Sequence, residues 1–205
     1  MKKAELAALE RRADQGDVDA LFTLGSQYAD TDARAAVRYF RRGVALGNTA
    51  RMSCLADHLE RGRGVRRDLA AAVRLWQRMA RRGVAIGAFN MAVHHKHRGS
   101  YRTAHQWFRK AEQMGDASAT LKLAKLRLLG VGVRRDVASA VRDLERVADD
   151  PAVTEWQRES SRLVLASLYL DGTLVRRSYA TGLAWIDRAI THGSDLAREY
   201  RRNVT

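Results

Sequence analysis

The sequence predicts an all-α protein assembled from helix–turn–helix repeats, and three observations carry that expectation. Apolar residues recur every three to four positions, the period of a helix buried along one stripe. Two separate sequence markers return at the same irregular interval. A single proline occurs in 205 residues, which fits helices joined by short connections.

The first marker is a leucine or methionine followed by a small residue: Leu24-Gly25, Leu55-Ala56, Met91-Ala92, Leu123-Ala124 and Leu165-Ala166, spaced by 31, 36, 32 and 42 residues. The second is the residue that closes each unit: Gly47, Gly83, Gly115, Pro151 and Gly193, spaced by 36, 32, 36 and 42 residues. Together they predict five repeats, over 17–47, 48–83, 84–115, 116–151 and 152–193, between a capping helix at 1–16 and a capping segment at 195–205. Polar, atypical ends shield a stacked core.

Residues 3–15 read as a lone second helix that closes on Gly16. The first-helix pattern sets a small residue, the Leu-small pair and a tyrosine on one face, best seen as Ala20, Leu24, Gly25, Tyr28 and again as Leu165, Ala166, Tyr169. Glycine inside a helix costs about 1 kcal/mol against alanine, so Gly25 predicts a close helix crossing. The middle three units carry Leu59, His95 and Arg127 at the tyrosine position, which predicts looser packing there.

The second helices follow their own pattern: Ala36-Tyr39-Phe40-Gly43, Ala72-Leu75-Trp76-Ala80, Ala104-Trp107-Phe108-Ala111, Ala140-Asp143-Leu144-Ala148 and Gly182-Trp185-Ile186-Ala189. The large members are expected to be core wedges. Gly16-Asp17, Gly47-Asn48, Gly115-Asp116 and Gly193-Ser194 each predict a left-handed glycine ending one helix and a polar N-cap opening the next. Asp68, Ser100, Asp136 and Ser178 are expected to cap second helices. Pro151 cannot continue a helix and marks a joint.

These residues resemble Sel1-like repeats, a subclass of tetratricopeptide-like helical hairpins. The likeness rests on Ala20, Leu24, Gly25 and Tyr28; on the turns Gly62-Arg-Gly64-Val65-Arg-Arg-Asp68 and Gly130-Val-Gly132-Val133-Arg-Arg-Asp136; and on Ala104, Trp107, Phe108, Ala111 and Gly115. It implies a right-handed α-solenoid whose concave face is lined by first helices. It also implies an adaptor that binds other proteins, or an immunity protein that binds a delivered toxin. The family motif carries no catalytic residue and no cofactor. Some secreted relatives staple each repeat with a disulfide, which a chain with only Cys54 cannot do.

The formal charge is +14, with Arg far outnumbering Lys. Either the partner is acidic or the arginines fill solvated helix faces; their even spread favours the second reading. Glu5, Glu10 and Arg11 interrupt what would be the apolar core of an export signal. The cytoplasm is therefore expected, or the periplasm for a chain whose export signal has been removed. No apolar run is long enough to span a bilayer.

Catalytic sets are absent: no nucleophile elbow, phosphate loop or dinucleotide turn occurs. No enzymatic activity and no small-molecule substrate are expected. His94 and His97 have a helical metal-ligand spacing, but no nearby Cys or Asp completes a set, so no metal is expected.

Two binding surfaces follow. Positions flanking the buried stripe of the first helices offer a groove to a protein or peptide: Gln27, Asp57, His58, Asn90, His94, Lys122, Lys125 and Leu168. The pairs Arg66-Arg67, Arg134-Arg135 and Arg176-Arg177 recur at one loop position and offer a ridge to an acidic polymer, through its phosphates, or to a carboxylate-rich protein. No aromatic–basic interleaving favours nucleic acid.

Overall fold

The computed structural model describes residues 3–204, apart from the side chains of residues 3 and 50. Residues 1, 2 and 205, which fall in the expected terminal caps, lie outside the described residues. The described residues form twelve helices and no strand: α1 (Lys3–Asp14), α2 (Val18–Tyr28), α3 (Ala33–Ala45), α4 (Thr49–Arg61), α5 (Leu69–Arg81), α6 (Ala85–His97), α7 (Tyr101–Gln113), α8 (Ala117–Leu129), α9 (Val137–Asp149), α10 (Glu155–Asp171), α11 (Tyr179–Thr191) and α12 (Asp195–Val204). The architecture is an all-α repeat fold. No described helix is long and apolar enough to cross a membrane. The chain divides into two compact units, Met1–Met91 and Ala92–Thr205, with the boundary inside α6.

In the first unit each of α1 to α4 packs on the next helix. Ala13, Ala20, Leu21 and Leu24 form a core, with Leu6, Leu9, Tyr28 and Tyr39 against it. The wedge residues Phe40 and Trp76 are buried as expected. Full burial of such a side chain contributes about 1.5–3 kcal/mol. Gly25 earns its place at the crossing, since a Cβ there would stand 2.5 Å from Cε1 of Phe40. Tyr28 stacks on Tyr39 with ring centroids 5.9 Å apart.

Arginines tie the second helices to one another. Arg42 at the end of α3 donates to Ala13 O at the end of α1 at 2.7 Å. Arg82, just past α5, donates to Gly47 O, just past α3, also at 2.7 Å. Each guanidinium thus docks on the backbone at the C-terminal end of an earlier helix. Arg51 is buried: its Nη2 donates to Val18 O at 3.0 Å, and its guanidinium lies 4.0 Å above the Phe22 ring.

In the second unit the core runs from Leu121 and Ala124 through Leu144, Val147, Leu165 and Ile186 to Ala197. Arg146 pairs with Glu112 at 3.5 Å, and Arg188 with Asp149 at 3.4 Å. The joint at Pro151 is tied at several points. Thr154 and Gln157 form a capping box, Gln157 Nε2 donates to Ser118 Oγ at 2.8 Å, and buried Arg162 donates to Ala148 O at 2.9 Å.

The expected looseness at the tyrosine position does not occur at Leu59 and Arg127: Leu59 is buried, and Arg127 forms an ion pair with Asp143. His95 is half-buried. The expected caps form at Asp17, Asn48, Asp68, Asp116, Asp136, Ser178 and Ser194. Ser100 sits at the N-cap of α7 but its side chain makes no capping bond. Asp32, which the sequence pattern had not marked, caps α3.

Candidate functional site

The first-helix positions separate by burial. In the first unit Gln27 is exposed, and Asp57 is half-buried between Arg61, at 2.7 Å, and Arg63. Asp57, Ser26 and Cys54 share a pocket of 390 Å³ that also takes in Phe40 and Arg63. Burial pushes the Cys54 thiol up, away from the reactive thiolate. His58 edges the same pocket but does not serve as an open contact. It is 4% exposed, its ring packs against Phe40 at 5.5 Å, and its Nδ1 meets Arg63 O at 2.9 Å. Its work is to hold the turn after α4.

Asn90 and His94 lie one turn apart on α6 and are half-buried. The His94 ring meets His95 edge-on at 5.4 Å. In the second unit Lys122 is half-buried and Lys125 exposed. Burial, then Lys125 and Lys96, hold the Lys122 ammonium below its ordinary value. Leu168 departs from expectation: it is 9% exposed and belongs to the core. Its helix, α10, packs against α8, α9 and α11, which removes that face from solvent. Among the described residues no three His, Cys, Asp or Glu side chains converge on a metal position.

The arginine pairs also separate. In the turn after α4, Gly62 and Gly64 have φ of 71° and 67°, values that favour glycine. Asp68 N–H donates to Leu59 O at 2.9 Å, and Arg67 Nε donates to Glu60 O at 2.9 Å. The turn after α10 repeats this, with Ser178 N–H on Tyr169 O and Arg177 Nε on Leu170 O, both at 2.9 Å. Arg67 and Arg177 therefore close the ends of first helices. Arg66, Arg134 and Arg176 are exposed.

The turns also press on the hairpin before them. A Cβ at Gly64 would stand 2.2 Å from the backbone of Ala33, and one at Gly132 would stand 2.4 Å from that of Tyr101. Each contact creates a notch beside the second helix. In the first unit Arg41 of α3 faces Val65, Arg66 and Arg67 across 430 Å³. In the second, His105 and Arg109 of α7 face Val133, Arg134 and Arg135 across 590 Å³. Arg41 and Arg109 occupy the same place, five residues after Ala36 and Ala104. The sequence reading missed Arg41, His105 and Arg109; the recurrence of that arginine was the available signal. Burial, then Arg127 and Arg109, push the His105 imidazole below its ordinary value.

A family model described as Sel1 repeat matches residues 20–48, 52–84, 85–116, 117–142 and 161–194. No curated protein matches the sequence. Among solved structures, c5321, a protective antigen of uropathogenic Escherichia coli with an SLR fold, matches with a TM-score of 0.76 and 23% identity. That match covers 92% of this chain but only 41% of c5321, so the chain spans less than half of that protein. A Sel1 repeat protein from Oxalobacter formigenes matches with a TM-score of 0.71 and 22% identity, over 89% of this chain and 74% of that one. The immunity protein Pa5087 from Pseudomonas aeruginosa matches with a TM-score of 0.57 and 21% identity, over 88% of this chain and 67% of that one. At these identities the likeness is one of fold.

Proposed function

Since the chain belongs to the Sel1 repeat family, we propose that it is a scaffold that binds a protein partner along its first helices. Sel1 repeats in general serve protein–protein interaction. The observation that carries the reading here is the set of polar side chains left outside the core on those helices. Gln27, Asp57, Asn90, His94, Lys122 and Lys125 all retain exposure, while the stripe beside them is filled by Leu24, Leu55, Met91 and Leu123. Polar groups on rigid helices can set orientation without a backbone ordering cost on binding. On the family's solenoid plan these side chains would line the concave face.

The test is affinity purification from the native cell followed by mass spectrometry. The native chain retains a specific protein; Asn90→Arg with His94→Glu abolishes retention while circular dichroism and melting stay unchanged. Retention by the folded double variant would exclude this face. A narrower reading takes up the immunity role printed for the Pseudomonas aeruginosa neighbour and makes this chain's partner a delivered toxin. It predicts that co-expression of the chain rescues cells from that partner's toxicity.

A further inference from the structure

The notch between α7 and the turn after α8 contains more unopposed basic groups than its packing requires. Arg127 is engaged by Asp143, and Glu112 by Arg146. Arg109, Arg134 and Arg135 are exposed and have no ion pair among the described residues. Below them, Nε2 of His105 is buried with no hydrogen-bond partner. A buried polar atom without a partner carries a desolvation penalty. Unopposed guanidinium groups around one cavity are suited to a carboxylate, which accepts paired N–H donors. The 590 Å³ of the notch is room enough for a carboxylate and the chain that bears it.

Copying of a repeat loop explains Arg134 and Arg135 but not Arg109, which reaches the notch from α7. The first unit shows the same opposition of Arg41 to Arg66, with Val37 in the place of His105. In α9 the corresponding residue is Glu145, so the third arginine turn has no such counterpart. Glu112 and Asp136 also line the α7 notch. They would repel the continuous charge of a phosphate backbone but leave room for a single carboxylate. We propose that the α7 notch is a socket for an acidic segment of the protein partner, seating one carboxylate between Arg109 and Arg134, with the His105 ring in the notch lining. This rests on the reading of the chain as a protein-binding scaffold.

The test is fluorescence anisotropy with a fluorescein-labelled oligoglutamate peptide on the full chain, with an oligodeoxynucleotide of equal charge as competitor. The native chain binds the peptide. Arg109→Ala with Arg134→Ala weakens binding about tenfold or more, the scale of losing charge-assisted hydrogen bonds. Arg38→Ala with Arg74→Ala, equal in charge and not among the residues that line the notch, changes it by less than about twofold. Peptide also moves the His105 ring titration, followed by NMR, to higher pH. Absence of binding, equal weakening by both pairs, an unmoved His105 titration, or preference for the oligodeoxynucleotide overturns the socket. None of these bears on the α6 double variant, whose loss of partner tests the scaffold reading separately.

Discussion

Arg127 and Asp143 form an ion pair at the α8–α9 crossing, in the place where Tyr28 stacks on Tyr39 at the α2–α3 crossing. Both positions, four after the Leu of the first helix and three after the Ala of the second, are the same in repeat register. The Arg127 and Asp143 side chains are 18% and 19% exposed, so removal of one partner leaves a largely desolvated charge. Asp143→Ala should lower the unfolding free energy by about 1–3 kcal/mol. The double change Arg127→Tyr with Asp143→Trp, the pair that α10 and α11 carry as Tyr169 and Trp185, should recover most of that loss. A double-mutant cycle in urea measures the coupling.

Turn glycines differ in what they tolerate. Gly83 has φ of 76° but open space around its Cβ position, whereas Gly64 faces the Ala33 backbone. Gly83→Ala should cost about 1–2 kcal/mol, the penalty of the left-handed conformation alone. Gly64→Ala and Gly132→Ala should each cost clearly more, because the neighbouring backbone must move. Denaturant titration of the three variants gives the ranking; equal losses would show that the turns do not dock as described.

Acid should weaken the caps. Hydrogen bonds from the Ser139 backbone and side chain hold the Asp136 carboxyl below its ordinary value, and those from Ala20 N–H and Arg12 do the same for Asp17. A carboxylate with a depressed native pKa stabilises above its unfolded value, near pH 4, and loses that contribution as pH falls through the native value. Asp136→Asn should therefore flatten the decline of melting temperature below about pH 4. Ser100→Ala, with no capping bond to lose, should leave melting unchanged.

His105 acts in the same direction at higher pH. Its native pKa is pushed down by burial and then by Arg127 and Arg109. Above about pH 6.5 both folded and unfolded forms are neutral. As pH falls below that value the unfolded chain takes up the proton first, and stability declines until the native value is passed. His105→Gln should remove the part of the slope that begins as pH falls below about 6.5. Thermal melts across this range, compared with the native chain, check it.

The repeat register, the wedges and most caps were legible because each depends on residues within one hairpin. Phe40, Trp76 and Phe108 announce themselves by period, and Asp68 and Asp136 by their place before a helix. Asp32 was missed because the shortened first turn hides the frame. His58 and Leu168 were placed on an open face because helical phase alone puts them there. Their burial depends on Phe40 and Arg63 in one case and on α10's neighbours in the other. The opposition of Arg109 to Arg134 was equally hidden, since it exists only where Gly132 lets the turn approach Tyr101. What the period could not convey was contact between successive hairpins.

The docking of Gly64 on Ala33 and of Gly132 on Tyr101 has a temporal side. In each case the segment that covers the start of a second helix is translated a whole hairpin later. A hairpin leaving the ribosome is complete in its own hydrogen bonds but bare where the next turn will settle. Folding during synthesis thus trails the growing chain by one repeat, and a stalled chain presents the uncovered start of its last finished second helix to whatever is nearby.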